Sequence, residues 1–508
     1  MPNTVSEIPV QRGHSRAFLI ENQAGPENVP VFLSFSMAGA FEAPQGDVAR
    51  IEVPDSNQYN QFQVAGEVPG GTENASMPLS ILRTFGLSKL LKIAKRRCPY
   101  DIQVHFGDCE DPLDFDGGWK YILVLERART TTYKTDELGS MVSGDNDKIT
   151  EEMDVSAIRY YEIGRLSFAK RAESDVTSQI VSVTVCDKPN CGECGSASDG
   201  CSIVLAVSDP AGSSPGLLPE VIYTEDGFTN SATRTITTFS IGDNPNGAAC
   251  VGSYFVVVSS DSGGMHVADK DDLLNASETW SLVTNGFVAM NGPRAIVSIS
   301  PRETFIVGLG GYIYKTTNPT DGVTVLDAGV ASLGEDLLAI DAINGRNLVA
   351  VGNSNTIVYT TNAGKIWSYI EAPGAPTNIT AIAMRSLTEW WIGTANGEVY
   401  YTKDKGQNWT LKSFTDSGTG TISKILWASD TVGYILHNTG TAGRILRTVS
   451  GGNTWYVAPE SNTESLPVNA ALLDAALCLE EVNAIFAGGQ GEGGVDGVII
   501  VGTPESEN

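Results

Sequence analysis

The sequence of 508 residues lacks the features that mark several large classes of protein. No apolar run approaches the roughly 18 residues that a membrane-spanning helix needs, so we expect no membrane insertion. The polar N-terminus does not look like a secretory signal peptide. The four histidines, His14, His105, His266 and His437, are too dispersed for two of them to bind a metal from one element. Because the GxxxxGKS/T pattern of phosphate-binding loops is also missing, we expect no cofactor, no metal and no enzymatic activity.

Positive charge is scarce throughout the chain. The sequence has 33 Lys and Arg against 60 Asp and Glu, which gives a net charge of −27. Residues 1–178 hold 18 of these bases and 26 of the acids, which leaves 15 and 34 for the remainder. The one basic block is Lys89–Arg97. Because binding to DNA phosphates requires a positive surface, we expect no specific binding to duplex DNA, although an acidic surface could repel DNA and let it slide.

One stretch of the sequence repeats itself with the period of a structural unit. Three similar segments, Tyr359–Trp367, Tyr401–Trp409 and Arg447–Trp455, end in tryptophans that lie 42 and 46 residues apart. Each segment follows two short apolar runs that are typical of buried strands. A period of roughly 40–50 residues predicts the four-stranded blade of a β-propeller. The positions that we expect to shape the three turns are Asn362, Gly364, Trp367, Asp404, Gly406, Trp409, Ser450, Gly452 and Trp455.

These turns resemble the Asp-box of sialidases and of photosystem II assembly-factor-like propellers, which has the pattern Ser/Thr-x-Asp-x-Gly-x-x-Trp. Thr402–Trp409 matches the whole pattern, whereas Asn362 and Ser450 replace the aspartate in the other two copies. A short polar side chain can bond nearby backbone amides, glycine can take a positive φ, and tryptophan can pack between blades. We therefore interpret the box as a marker of the fold. A sialidase-like hydrolase is an alternative, although the few arginines of this region follow no matching pattern.

Residues 179–508 are predicted to form a seven-bladed propeller. We place its blades at 199–243, 247–288, 292–330, 336–374, 377–416, 421–460 and 470–503. The last of these blades lacks one strand, and a spare strand at Gln179–Val185 precedes the first. We expect Val181–Val185 to complete the last blade, which would close the propeller without an open edge.

Residues 31–178 are predicted to form a β-sandwich with one helix, so that the fold class of the whole chain is all-β. We place strands at Val31–Phe35, Asp47–Val53, Met77–Phe85, Asp101–Phe106, Tyr121–Glu126 and Ile158–Phe168, and a helix between Ser88 and Pro99. The element order resembles the tail tube proteins of long-tailed bacteriophages, most clearly at Gly46–Asp55 and Cys98–Gly107. The resemblance implies hexameric rings that stack into a tube.

Two segments near this domain lack periodicity. Residues 1–30 are interpreted as an extended arm, and Arg129 to about Asp154 as a long polar loop. The resemblance implies that residues 1–30 and 129–157 reach neighbouring subunits, that other tail proteins are partners, and that genomic DNA passes through the lumen. The acidic loop Asp108–Asp116 could hold a hard cation such as Ca²⁺, but it lacks the spacing of an EF-hand.

Four of the eight cysteines form a cluster at Cys186, Cys191, Cys194 and Cys201. A zinc site with four thiolates normally uses two CxxC pairs, and only Cys191 and Cys194 have that spacing. Two disulfides within the cluster would equally suit a particle that is exposed outside cells. Disulfides, free thiols and a metal site therefore all stay open.

The leading hypothesis is a virion structural protein. Residues 31–178 would polymerise with identical subunits as a tail tube, and the propeller would decorate its outside. Adjacent aromatic residues at Trp390, Trp391, Tyr400 and Tyr401 are interpreted as core, but an exposed one could stack on host surface glycans. The alternatives are another virion decoration or a tail-tip adhesin and, from a different class, a sialidase-like glycoside hydrolase or an assembly factor.

Overall fold

The structure is a computed structural model whose two compact units divide between residues 165 and 166. It describes residues 15–20, 31–33, 35–37, 75–82, 100–107, 119–135, 150–157, 159–164, 166–171, 178–187, 202–210, 217–224, 231–288, 292–326, 334–374, 377–414, 419–429, 431–440, 442–458, 471–478, 484–491 and 496–504.

The N-terminal unit contains eight described strands that hydrogen bonds connect into one sheet. Their bounds are β1 Ser15–Ile20, β2 Val31–Leu33, β3 Phe35–Met37, β4 Ala75–Leu82, β5 Tyr100–Gly107, β6 Trp119–Thr135, β7 Thr150–Ala157 and β8 Arg159–Gly164. The first half of β6 pairs with β5 and β8, and its second half pairs with β7. The all-β prediction is confirmed. The β-sandwich is not confirmed, because the 17-residue β6 links all of these strands into one sheet.

Two segments that we predicted to be irregular contain strands of this sheet. The predicted arm, residues 1–30, contains β1, which pairs along its whole length with β5. The predicted loop, Arg129 to about Asp154, contains most of the second half of β6 and the first residues of β7, paired for example at Lys134↔Glu152. The loop prediction was wrong because the second half of β6 is rich in threonine and tyrosine, which favour strands even where apolar and polar residues do not alternate. The arm prediction overlooked the short apolar run Phe18–Ile20, which lies within β1.

The other predictions for this unit have mixed outcomes. The predicted strands Asp101–Phe106 and Tyr121–Glu126 lie within β5 and β6. The predicted strand Asp47–Val53, the helix between Ser88 and Pro99 and the acidic loop Asp108–Asp116 lie outside the described residues.

The second unit is a β-propeller of seven four-stranded antiparallel sheets, so the predicted number of blades is confirmed. Blade 1 is β10 Gln179–Asp187, β11 Ser202–Asp209, β12 Glu220–Thr224 and β13 Ala232–Thr235; blade 2 is β14 Gly247–Val251, β15 Tyr254–Ser259, β16 Gly264–Asp269 and β17 Ser281–Val283; blade 3 is β18 Pro293–Ser300, β19 Glu303–Gly308, β20 Ile313–Thr316 and β21 Thr324–Val325; blade 4 is β22 Leu337–Asn344, β23 Asn347–Gly352, β24 Ile357–Thr360 and β25 Ser368–Ile370; blade 5 is β26 Ile379–Met384, β27 Trp390–Thr394, β28 Val399–Thr402 and β29 Thr410–Lys412; blade 6 is β30 Thr421–Trp427, β31 Gly433–Thr439, β32 Ala442–Thr448 and β33 Tyr456–Ala458; blade 7 is β34 Leu472–Cys478, β35 Ala484–Gln490, β36 Gly497–Pro504 and β9 Leu166–Arg171.

The strand that closes the propeller is β9, which precedes blade 1 in the sequence. It pairs with β36 at six positions, from Leu166↔Pro504 to Arg171↔Ile499. The prediction that Val181–Val185 closes the last blade was wrong, because this segment lies in β10, the innermost strand of blade 1. Residues 199–243, which we had assigned to blade 1, contain three described strands, and β10 is the fourth strand of that blade. The strand that completes blade 7 therefore comes from further upstream in the sequence.

The second strand of each blade explains the apolar runs that mark the repeats in the sequence. In β23, for example, five of the six residues are buried. Val349 and Val351 of this strand pack with Ile382 and Ile392 of blade 5 in a core that lies between the two blades. Because both faces of such a strand are covered by neighbouring blades, its sequence is continuously apolar and does not alternate.

Helical structure is sparse in the described part of the chain. It contains one short α-helix, α1 (Lys270–Leu274), whose first turn is capped by the Asp269 carboxylate, an acceptor for the Asp271 N–H at 2.9 Å. No helix in these ranges combines the length and the apolar character needed to cross a membrane.

Candidate functional site

The complete Asp-box is a turn between β28 and β29 that its own side chains close. The Thr402 hydroxyl donates to the Asp404 carboxylate at 2.7 Å and accepts from the Gly406 N–H at 2.9 Å. The same carboxylate accepts from the Asn408 backbone and side-chain amides at 2.8 and 2.7 Å. Burial acts to raise the pKa of Asp404, but the hydrogen bonds from Asn408 and Thr402 lower it below its ordinary value. The carboxylate is therefore held as an anion by the turn that it closes.

The two incomplete boxes make the equivalent contacts without an aspartate. The Asn362 side-chain oxygen accepts from the Thr360 hydroxyl at 2.9 Å and from the Ile366 N–H at 3.0 Å. The Ser450 hydroxyl accepts from the Thr454 N–H at 2.9 Å. Because an amide or a hydroxyl oxygen can replace the carboxylate, the turn needs an acceptor and not a negative charge. This geometry assigns the box a structural task.

The box glycines combine a positive φ with a close approach to the preceding blade. Gly364, Gly406 and Gly452 have φ values of 78°, 80° and 85°. A Cβ atom on Gly452 would lie 2.4 Å from the Trp391 ring, and one on Gly364 would lie 2.4 Å from the Leu326 side chain. A larger residue would therefore be strained by its backbone and would also collide with a neighbouring blade.

The box tryptophans pack between neighbouring blades. Trp367 lies in the core between blades 3 and 4, Trp409 in the core between blades 4 and 5, and Trp455 in the core between blades 5 and 6. Each of the three therefore contacts the blade that precedes its own. This arrangement couples the closure of a turn to the packing of two blades.

The adjacent aromatic pairs of blade 5 lie in the propeller core. Trp390 and Trp391 are 2 % exposed, and Tyr400 is 8 % exposed. Tyr401 stacks on Trp391 with a distance of 4.8 Å between the ring centroids. None of these four rings is free to stack on a sugar, so a glycan-binding surface would need other residues.

Polar side chains on the innermost strands accept hydrogen bonds from backbone N–H groups of the next blade. The inner edge of such a strand has no further strand to pair with, so its N–H and C=O groups need other partners. The acceptors are Ser182 Oγ for the Ala248 N–H (3.1 Å), Asp341 Oδ2 for the Met384 N–H (2.6 Å) and Asp474 Oδ2 for the Val183 N–H (3.0 Å). These residues join blades 1 and 2, 4 and 5, and 7 and 1.

Three residues on the innermost strands, Lys424, Asp341 and Asp474, carry opposite charges that attract one another. Lys424 Nζ lies 2.8 Å from Asp474 Oδ1. Burial by itself lowers the pKa of Lys424, but the attraction of Asp474 and Asp341 raises it above its ordinary value. Burial raises the pKa of Asp341, against the opposing effect of the Met384 N–H. A lysine that stays protonated beside carboxylates forms an ion pair and does not supply the base of a proton-transfer reaction.

One serine–histidine contact in blade 2 has the distances of a catalytic pair but the wrong protonation. His266 Nε2 lies 3.0 Å from Ser262 Oγ, and His266 Nδ1 lies 2.7 Å from Thr238 Oγ1. The Ser262 hydroxyl donates its single proton to Asp243 at 3.1 Å, so Nε2 must be the donor toward Ser262. Burial also lowers the pKa of His266 to about 3. A histidine this weakly basic makes a poor general base, and this contact is structural.

A polar pocket of about 530 Å³ opens between blades 5 and 6. Its lining residues are Ala395, Asn396, Glu398, Gly420, Thr421, Asn438 and Gly440. The Glu398 carboxylate accepts from the Tyr400 hydroxyl at 3.1 Å, and the Asn438 amide is bonded to both the N–H and the C=O of Leu472. The Glu398 carboxylate and the Asn438 amide are thus already engaged in hydrogen bonds within the propeller.

One of the four clustered cysteines, Cys186, is paired outside the cluster. Cys186 of β10 forms a disulfide with Cys250 of β14, with a Cα–Cα distance of 5.8 Å. The bond links the innermost strands of blades 1 and 2, and it excludes for Cys186 the alternatives of a free thiol, a metal ligand and a disulfide within the cluster. Cys191, Cys194 and Cys201 lie outside the described residues. In the part of the chain that is described, no group of three His, Cys, Asp or Glu could hold a metal ion.

Comparisons with known proteins agree with the propeller geometry. A family model described as Photosynthesis system II assembly factor YCF48 matches residues 274–431, from the end of blade 2 into blade 6. A search of curated proteins finds no match to the chain.

Similar solved structures include YCF48 from Cyanidioschyzon merolae, at 16% identity and a TM-score of 0.49, which covers 66% of this chain and 98% of that one. YCF48 bound to D1 peptide matches at 16% identity and a TM-score of 0.48, with 67% and 98% covered. Virginiamycin B lyase from Staphylococcus aureus matches at 11% identity and a TM-score of 0.49, with 66% and 99% covered.

The class of protein follows from these observations. The second unit is a seven-bladed β-propeller with Asp-box turns in three consecutive blades, and residues 274–431 of it match the YCF48 family model. The contacts of these turns are structural, and the charged groups on the innermost strands that we have described are paired with one another. The family model extends over the middle blades and does not reach the N-terminal unit.

Proposed function

We propose that this protein is a non-enzymatic structural component of a virus particle. The N-terminal unit would assemble with identical subunits into stacked hexameric rings of a tail tube, and the propeller would decorate the outside of that tube. Genomic DNA would pass through the lumen without specific binding.

The observation that carries the proposal is the organisation of the N-terminal unit around β6. This 17-residue strand belongs to two parts of the sheet, and its second half continues into the hairpin with β7. The resemblance to tail tube proteins rests on a sandwich, a helix and a long loop in this order. The β6–β7 hairpin lies where we predicted the long loop, and a hairpin of this length could reach a neighbouring subunit.

The propeller supports the same proposal as a decoration that needs no partner to complete its fold. Its seven sheets are closed by β9 and β36 of the same chain. Residues 1–178 hold 26 acids against 18 bases, and this negative balance suits a tube that conducts DNA, because acidic walls repel phosphates.

Electron microscopy of the negatively stained, purified protein tests the proposal. Tubes or six-fold rings are expected, and a monodisperse monomer at high concentration would contradict it. A variant in which a short Gly-Ser linker replaces residues 136–149, between β6 and β7, should lose assembly and keep the melting transition of the propeller. The matched control replaces residues 327–333, between β21 and β22, and should assemble as the parent does.

A second candidate function is that of an assembly-factor propeller that binds a polypeptide. It is favoured by the match of residues 274–431 to the YCF48 family model. The two candidates predict different results in a pull-down with membrane and particle fractions. An assembly factor would be captured as a monomer with a client polypeptide, whereas a tube protein would be recovered in large particles of itself.

A further inference from the structure

The polar pocket between blades 5 and 6 lies at the end of these blades that is opposite the Asp-box turns. One wall is the β27–β28 hairpin, with Ala395, Asn396 and Glu398, and the other is built from the first residues of β30 and the β31–β32 hairpin. Because the strands of a blade are antiparallel, the β28–β29 turn that contains the complete Asp-box lies at the far end of blade 5. The structural contacts of the boxes therefore do not occupy this pocket.

The corresponding hairpins of blades 3 and 4 bond directly to the chain that enters the next blade. In blade 3 the Gly310 N–H donates to Asp336 Oδ1 at 2.9 Å. In blade 4 the Asn355 side-chain oxygen accepts from the Thr377 N–H at 3.0 Å. In both blades a side-chain oxygen thus joins the hairpin to the following blade.

The β27–β28 hairpin of blade 5 leaves its own polar side chains free for such a contact. Its hydrogen bond to the described part of blade 6 runs from the Thr421 hydroxyl to the Ala395 C=O at 3.1 Å. The Asn396 side chain is exposed and forms no hydrogen bond with a described residue. Glu398 accepts from the Tyr400 hydroxyl through Oε2, and its Oε1 accepts from no described residue. The pocket therefore holds an amide and one carboxylate oxygen that the described part of the propeller does not use.

The backbone of the hairpin fixes the direction of these two side chains. The buried Thr394 hydroxyl accepts from the Asn396 N–H at 3.3 Å and from the Glu398 N–H at 3.0 Å. Gly397 has a φ of 79°, and a Cβ atom on it would lie 2.2 Å from the Thr419 carbonyl oxygen. The hairpin is therefore already held against blade 6, and a ligand would lose little free energy in ordering it.

The residues that line the pocket favour a neutral, polar ligand. Glu398 is the one ionisable residue among them, so a carboxylate or a phosphate would meet a like charge and no cation. An ammonium ion has donors only, and it would leave the donors of the Asn396 amide without an acceptor. A ligand with several hydroxyl groups can donate to Glu398 Oε1 and accept from Asn396 at the same time. The volume of about 530 Å³ lies within the range of about 300–1,000 Å³ that is common for small-ligand sites.

We propose that this pocket binds a neutral sugar, with neighbouring hydroxyl groups of the sugar ring placed on Asn396 and Glu398. An amide offers a donor and an acceptor side by side, and a carboxylate oxygen accepts from a hydroxyl, so the two side chains match a pair of hydroxyls. The pocket is open to solvent, so the bound sugar can be one unit of a longer chain. The site belongs to the propeller and does not depend on the assembly proposed for the N-terminal unit.

Saturation-transfer difference NMR of the full-length protein tests this site. The probes are the methyl glycosides of glucose, galactose, mannose and N-acetylglucosamine, and the charged comparison compounds are ethylammonium chloride and sodium acetate. At least one glycoside should bind with a dissociation constant on the order of 1 mM. The proposal is wrong if none of the four glycosides binds, or if a charged compound binds more tightly than all of them. The variant in which a linker replaces residues 136–149 should bind the glycoside as the parent does, so that a failure of assembly and a failure of sugar binding are separate results.

Three variants locate the sugar in the pocket. Asn396→Ala removes the amide, and Glu398→Gln leaves a single oxygen that cannot accept from both the Tyr400 hydroxyl and the sugar. Each should raise the dissociation constant of the bound glycoside at least about tenfold and keep the melting temperature within about 2 °C of the parent. Gln407→Ala is the matched control, since Gln407 is an exposed amide in the Asp-box turn at the far end of the same blade, and its dissociation constant should equal that of the parent. Unchanged binding in both pocket variants would overturn the assignment, and Glu398→Gln keeps the test open if Asn396→Ala does not fold.

Discussion

Removal of β9 should open the propeller, and its cost can be worked out from the register. The comparison uses two fragments, residues 166–508 and residues 172–508, which differ only in the six residues of β9. These residues pair with Ile499–Pro504, and Pro504 has no N–H to donate. About five backbone hydrogen bonds at about 1 kcal/mol each give a loss of roughly 5 kcal/mol in the free energy of unfolding.

The assay is thermal unfolding of both fragments by calorimetry, together with light scattering. A loss of roughly 5 kcal/mol should lower the melting temperature by roughly 10 °C in a unit of this size. The shorter fragment should also aggregate earlier, because β36 becomes an exposed edge that can pair with another copy. If the two fragments melt within 2 °C of each other (roughly 1 kcal/mol), β9 does not close the propeller and the reasoning fails.

Three further predictions concern single side chains of the propeller. Thr402→Val removes three hydrogen bonds of the complete Asp-box and should cost about 1–3 kcal/mol in urea unfolding, whereas Asp404→Asn, which keeps an acceptor oxygen as Asn362 does, should cost less than about 1 kcal/mol. The folded pKa of His266, about 3, lies below the value of about 6.5 in the unfolded chain, so the unfolded state binds the additional proton. The free energy of unfolding should therefore fall by up to about 1.4 kcal/mol per pH unit below pH 6.5. The urea midpoint of His266→Gln should depend less steeply on pH than that of the parent, and equal slopes would contradict this account. Cys186→Ser with Cys250→Ser opens a loop of 64 residues and should cost about 4 kcal/mol, and peptide mapping without reductant should recover the two cysteines in one linked fragment of the parent.

The propeller was largely predictable because its signals are local and repeated. Tryptophans such as Trp367 and Trp409 mark each turn, and continuously apolar strands such as β23 mark the buried layer between blades. Both signals follow from short-range rules about turns and burial, so they survive the replacement of the box aspartate by Asn362 or Ser450.

The closing strand was not predictable in the same way. β9 and β10 both precede the stretch that we had assigned to the first blade, and their sequences do not reveal which of them pairs with β36. Strand pairing between distant segments is decided by the whole fold, and the partner of Cys186 was missed for the same reason, because Cys250 lies outside the local cluster. In the N-terminal unit, the polar sequence of β7 hid a strand because its apolar alternation is weak.

In six blades, one residue near the start of the innermost strand is skipped in the pairing with the second strand, and these β-bulges were also invisible to the sequence. They repeat in six blades, but the skipped positions hold residues as different as Val181, Arg294 and Thr380. A backbone irregularity that accepts any side chain leaves no pattern in composition or periodicity.

The pairing of Leu166 with Pro504 also sets the order of events during synthesis. At roughly 5–20 residues per second, a ribosome needs roughly 20–70 s to produce the partner of β9 after β9 itself has emerged. For that interval the strand must stay unpaired and avoid other nascent chains. The last blade is therefore the last to be completed, and crowding of identical chains on one messenger RNA is the condition that most favours exchange of β9 between copies.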